Sequence, residues 1–127
     1  MPRERPVVVD FLSVAPLFAV EDVAATAAWY EEHLAFKVEA TPPEPPHAEA
    51  VLWRDDARIM LMAAPGPLAA SGGAAVTIKG ILPFYDALRT KVEVTRPIER
   101  TAEGNLEFEI LDPNGYRLVF TELAEAA

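Results

Sequence analysis

Two periods of hydrophobic residues take turns along this chain. Val14 to Val20 is a short, unbroken apolar run, the pattern of a strand buried on both faces, and Pro16 inside it favours a sheet edge or a strand start. Glu21-Asp22 opens a helix with Asp22 as N-cap, and Val23, Ala27, Tyr30 and Leu34 recur at helical spacing as one buried stripe. Glu31 and Glu32 fall on its solvent side. Phe36 to Ala40 predicts a second strand. The stretch from Thr41 to Pro46 has four prolines in six positions and can join neither helix nor ladder, so it is an extended loop. Ala48 to Arg54 and Ala57 to Ala63 then predict a hairpin turning at Asp55-Asp56.

Ala64 to Gly73, rich in Pro, Gly, Ala and Ser, reads as a linker, after which the order restarts. Ala74 to Lys79 predicts a strand. Ile81, Tyr85 and Leu88 mark a short helix that accepts Pro83 in its first turn. Val92 to Ile98, Asn105 to Leu111 and Tyr116 to Glu122 predict three more strands. The last two are joined by Asp112-Pro113-Asn114-Gly115, a type I turn sequence. Trp29-Tyr30-Glu31 and Phe84-Tyr85-Asp86 lie 55 residues apart, and the two hairpin turns, Asp55 and Pro113, lie 58 apart. Strand, helix and three strands therefore occur twice, which points to an internal duplication. The expected fold is α+β, a single domain over 1–127 made of a first βαβββ half (14–63), a linker (64–73) and a second half (74–122).

Bulk properties narrow the function classes. At 127 residues, with 51% hydrophobic and 24% charged, the chain suits one folded domain with a modest core. A net charge of −9 argues against nucleic acid and anionic membranes as partners. It permits a cationic ligand and equally suits a merely soluble acidic surface. Without cysteine there is no disulfide framework, thiol nucleophile or Cys-based zinc site. Met1 to Pro6 reads as a loose arm. No signal pattern or membrane-length apolar run is present, so a cytoplasmic location is the default expectation.

Ala15-Pro-Leu-Phe-Ala-Val-Glu-Asp-Val, Trp29-Tyr30 and Leu34-Ala-Phe36 together resemble the opening of the vicinal oxygen chelate superfamily. This group holds glyoxalase I, extradiol dioxygenases, and fosfomycin and bleomycin resistance proteins. Gly104 to Phe120, with its Asp-Pro-Asn-Gly turn, is similar to the second signature of that group, nearest to bleomycin-resistance-type members. The resemblance implies that duplicated βαβββ units form a curved mixed sheet around a cleft. It also implies that enzymes of the group hold a divalent metal there from four strand positions. Those positions fall here at Ala15, Gly73, Val119 and one residue among Ile59, Met60, Leu61 and Met62. None offers a donor suited to Mg²⁺, Mn²⁺, Fe²⁺ or Zn²⁺. His33 and His47 match none of the positions and read as a surface helix residue and a loop residue. No metal and no other cofactor is therefore expected. The group usually has Gly where Ala35 stands, which implies mild strain or a differently wound helix end. Glu103 and Leu106 replace residues usual in bleomycin binders, which argues against bleomycin itself as the ligand.

Strand alternation from the metal positions gives the cleft-facing set. Leu17, Thr77 and Arg117 lie on it, Glu107 and Glu109 turn towards it because Phe108 and Ile110 face the core, and Trp53 shares a face with Glu49. These seven are the candidate ligand-binding residues, with Trp53 as a stacking surface and the glutamates as partners for a cation. Each glutamate could equally be a solvated strand face, and Trp53 could fill a core or dimer contact. The reading that follows is a metal-free protein binding a small cationic or aromatic, antibiotic-like molecule, with no catalytic residue. A metal-dependent lyase or dioxygenase and a degenerate protein-interaction module are the alternatives. A homodimer is expected, since the group commonly completes its clefts across two chains.

Overall fold

The computed structural model describes residues 7–66 and 70–125. The loose arm expected at Met1 to Pro6 and part of the linker expected at 64–73 lie outside the described residues. The first half runs β1 (Leu17–Val20), α1 (Val23–Leu34), β2 (Lys37–Thr41), β3 (Glu49–Arg54) and β4 (Ala57–Ala63). The second runs β5 (Gly73–Thr77), α2 (Ile81–Leu88), β6 (Glu93–Arg100), β7 (Leu106–Leu111) and β8 (Arg117–Glu122). Each half forms its own four-stranded mixed sheet, ordered β1-β4-β3-β2 and β5-β8-β7-β6, with one parallel pair in each. The α+β fold of two βαβββ units is thus as expected.

The first strand is shorter and less buried than its apolar run suggests. β1 starts at Leu17, after Pro16, whose carbonyl accepts the Met60 N–H at 2.9 Å but which has no N–H of its own. Only Phe18 and Val20 are buried; Val14 and Leu17 are exposed, so β1 has one core face rather than two. Asp22 caps α1 as expected, its carboxylate accepting the Ala25 N–H at 2.9 Å. At the other end Ala35 adopts the left-handed conformation (φ 56°, ψ 34°), the strained alternative to the usual glycine. On α2 the N-cap is Gly80, and Glu122 on β8 supplies the missing acceptor to the Gly80 and Ile81 amides.

The offset of the duplication is 58 residues as far as the β3–β4 and β7–β8 turns and 59 beyond them. Both helix N-caps, Asp22 and Gly80, are 58 residues apart. In the parallel pairs Leu17 faces Met60 as Ala75 faces Val119, 58 residues apart on the first strands and 59 on the last. Leu88 is therefore the counterpart of Tyr30. The pairing of Trp29-Tyr30 with Phe84-Tyr85 is out by three residues, close to one helical turn.

One core serves both halves, and the Asp112–Gly115 turn is the joint. Tyr116 stacks on Phe18 with centroids 4.1 Å apart and planes 6° from parallel. Its hydroxyl donates to the Ala19 carbonyl at 2.8 Å. Asn114 donates to the Thr26 hydroxyl at 3.0 Å, and the Tyr30 hydroxyl donates to the Asp112 carboxylate at 2.8 Å. Asp112 itself holds the turn by accepting the Asn114 and Tyr116 amides. Burial, reinforced by the Asp112 charge and hydrogen bond, pushes the Tyr30 hydroxyl far above the usual phenol range.

Candidate ligand-binding faces

Each helix covers one face of its sheet and leaves the other bare. In the first half α1 lies over Phe18, Val20, Ala50, Leu52, Ile59 and Leu61, all buried. The opposite face follows from the register. Leu17, Met60 and Val51 form one row, Ala19, Met62 and Glu49 a second, and Arg58, Trp53 and Lys37 a third. Leu17, Met60 and Met62 are exposed, so this face is an apolar, thioether-rich wall open to solvent. Trp53 lies at one end of it between two cationic neighbours. Glu49 sits four residues further along β3, about 13 Å away. These two residues share a face without forming one contact site.

The second sheet offers a polar wall. Phe108, Ile110, Leu118 and Phe120 face α2 and are buried. Opposite them Thr77, Thr121 and Glu107 form one row, and Ala75, Val119, Glu109 and Arg96 the next. Glu107 accepts from Arg96 at 3.0 Å and from the Thr121 hydroxyl at 2.9 Å. Those two hydrogen bonds, Arg96 first, hold the Glu107 carboxyl below the usual range. Glu109, only 7% exposed, accepts from the Thr95 hydroxyl at 2.7 Å and meets Arg117 at 3.8 Å. Neither glutamate is the solvated strand face considered from sequence, and neither is a free anion. Both are set in a carboxylate–arginine–hydroxyl network. Arg117 is its loosest member, with a side chain 61% exposed.

The seven candidates are thus divided between two walls: Leu17, Glu49 and Trp53 on the first, and Thr77, Glu107, Glu109 and Arg117 on the second. Thr77 also borders a groove of about 840 Å³ between β5 and the β3–β4 turn. The sequence reading missed Met60, Met62, Lys37 and Arg58 on the first wall, and Thr95 and Arg96 on the second. The two-residue turn at Asp55-Asp56 pairs Arg54 with Ala57, and counting outward from it puts Met60 and Met62 beside Trp53's face. Arg96 had no such signal, because register shifts interrupt β6 on either side of it.

The same register places Met60 at the metal position left open in the first half. The full set is then Ala15, Met60, Gly73 and Val119, one soft thioether and no hard donor. Gly73 is dictated by the backbone, since a Cβ there would lie 1.7 Å from the Arg117 carbonyl oxygen. Among the described residues no three His, Asp or Glu side chains converge as an ion site. These residues do not fit a divalent metal. His33 packs against Trp29 on α1, and His47 contacts the Pro42 carbonyl at 2.7 Å in the proline loop. Among the described residues no helix is long and apolar enough to cross a membrane.

A family model described as the Glyoxalase/Bleomycin resistance protein/Dioxygenase superfamily matches residues 11–120. Among solved structures, the chain is similar to the bleomycin resistance determinant encoded on the transposon Tn5. That match has a TM-score of 0.74 at 20% identity and covers 91% of this chain and all (100%) of the other. It is similar to TioX from Micromonospora sp. ML1 at a TM-score of 0.74, with 16% identity and coverage of 88% and 99%. A glyoxalase-related enzyme from Clostridium phytofermentans gives 0.76, with 18% identity and coverage of 95% and 100%. At these identities the likeness is one of fold, shared by a resistance determinant and an enzyme alike. No curated protein is similar enough in sequence to count as a relative.

Proposed function

The chain belongs to the Glyoxalase/Bleomycin resistance protein/Dioxygenase superfamily, and from that premise we propose that it is a metal-free protein binding a small aromatic or cationic organic molecule. The observation that carries this reading is the contrast between the two bare faces. One wall is apolar and exposed, with Leu17, Met60 and Met62 running towards Trp53. The other is a prearranged set of hydrogen-bonding groups around Glu107 and Glu109. A flat, partly apolar ligand would lie on the first and direct its polar groups at the second. A ligand cation has a place to go, because Arg117 can swing away and leave Glu109 to accept it. Among the described residues no helix covers either wall. The complete site therefore pairs the first wall of one protomer with the second wall of its partner, in a homodimer. The donor-poor set Ala15, Met60, Gly73 and Val119 supports binding without a metal.

Isothermal titration of chelator-treated protein with bleomycin-class glycopeptides, planar aromatic cations and neutral aromatics tests this. The expected result is one site per chain, unchanged by added Mg²⁺, Mn²⁺ or Zn²⁺, and weakened by Trp53→Ala. Silence across the panel, or binding that requires a divalent ion, would overturn the reading.

A further inference from the structure

One row of the first wall carries a charge pattern at odds with the acidic chain around it. Lys37, Trp53 and Arg58 stand directly opposite one another on β2, β3 and β4. Val38, Leu52 and Ile59, their neighbours along the strands, turn to the core, so these three side chains rise from the bare face. Directly opposed side chains start about 5 Å apart, which sets the two cations about 10 Å apart with the indole between them.

The chain has 20 acidic and 11 basic residues, so carboxylates are plentiful. The other arginines among the described residues all have partners. Arg89 meets Asp86, Arg96 meets Glu107 and Arg117 meets Glu109, while Arg54 and Arg100 donate to the Leu34 and Gly104 carbonyls. Among the same residues Arg58 has no such partner, and Lys37 pairs with no carboxylate. Glu39 and Asp56, each two residues away along the chain, form no ion pair with either.

Protection of a sheet edge accounts for a lysine on β2, an outer strand. It does not account for Arg58, because β4 lies between β1 and β3. Trp53 is equally open. It is half-buried, and among the described residues the aromatic stacks and the cation–π contact engage other rings.

On the reading of the first wall as a ligand-binding surface, we propose that this row takes a flat aromatic acid. The ring lies on the Trp53 indole, and its carboxylate or phosphate is held by Arg58 and Lys37. The guanidinium fork matches two oxygens of such a group, and the ammonium adds a point charge from the other side of the ring. Leu17, Val51 and Met60, in the next row, receive the apolar remainder of the molecule. An ammonium at the ligand's far end would still meet Glu109 on the second wall, so zwitterionic aromatic acids belong to the same class.

Naphthoate, naphthyl phosphate, naphthylmethanol and naphthylmethylammonium, substituted at the same ring carbon, separate charge from ring. Their binding is followed by NMR at the Trp53 indole N–H. The acids should bind at least ~10-fold tighter than the alcohol, an advantage that ~0.5 M salt removes. The tighter of the two acids identifies the acidic group. Combining Lys37→Gln with Arg58→Gln should bring the acids to within ~2-fold of the alcohol and leave the alcohol unchanged, whereas Trp53→Ala should weaken all three. Both cations are exposed, so the thermal midpoint of the double variant should match the parent's. Equal affinity for acids and alcohol at low salt, or a preference for the ammonium, would overturn the aromatic-acid assignment and leave an aromatic site in place. An acid preference that survives the double variant would overturn it too. No shift at Trp53 with any of the four would overturn both this assignment and the ligand-binding reading of the wall.

Discussion

Removing a single oxygen atom, with Tyr30→Phe, tests how the two repeats are fastened. Tyr30 is fully buried, and its hydroxyl is the donor to Asp112 Oδ2 at 2.8 Å. Asp112 is 4% exposed, and its other oxygen, Oδ1, is already engaged by the Asn114 and Tyr116 amides at 2.8 and 3.0 Å. The substitution keeps the ring and strands one oxygen of a buried carboxylate. Losing a hydrogen bond to such a group costs about 2–3 kcal/mol. At ~2.1 cal/mol/K per residue, unfolding this chain releases roughly 0.27 kcal/mol/K, so Tm should fall by about 7–11 °C. The assay is thermal unfolding by calorimetry beside Tyr85→Phe, which removes the same atom from a half-buried ring on α2. That control should stay within ~0.5 kcal/mol of the parent. A Tyr30→Phe midpoint within ~2 °C of the parent, or equal to that of Tyr85→Phe, would refute the view that the Asp112 turn clasps α1.

The same hydroxyl predicts an alkaline dependence. Its folded pKa is raised above an unfolded value near 10, so its contribution is intact below that pH and is lost as pH rises. Stability should fall by up to ~1.4 kcal/mol per pH unit above pH ~10, and Tyr30→Phe should lose less over pH 10–11 in denaturant titrations. Ala35→Gly relieves the left-handed helix end and should stabilise by about 0.5–1 kcal/mol, read as a higher urea midpoint at constant m. Arg96 and Thr121 keep Glu107 ionised below the ordinary carboxylate range. Affinity for a cationic ligand should therefore hold from pH 7 down to 5 in titration calorimetry, and Glu107→Gln should weaken it at least ~5-fold.

The fold was legible because local signals agreed with the tertiary result. The Asp22 cap, the proline loop and the Asp112–Gly115 turn fixed element order, and strand alternation assigned the core and open faces of β3, β4, β7 and β8. What escaped depended on contacts between elements. The apolar run at Val14 to Val20 looks buried, but three of its residues lie ahead of the ladder. The 55-residue aromatic match was coincidental, since burial equates Tyr30 with Leu88. Glu107 and Glu109 were found by alternation. Their partners on β6 were not, because Arg96 reaches Glu107 and Thr95 reaches Glu109 from a strand whose register shifts twice. The groove between β5 and the β3–β4 turn arises from the packing of the two halves, which no pattern of residues announces.

Whether two walls meet one ligand without an ion is read directly by backbone and indole amide NMR in excess chelator. Titrating a ligand selected by calorimetry should move the Trp53 indole N–H together with the Glu107, Glu109 and Arg117 amides, saturating at a single affinity. Shifts confined to one wall, or appearing only after a divalent metal is restored, would contradict it.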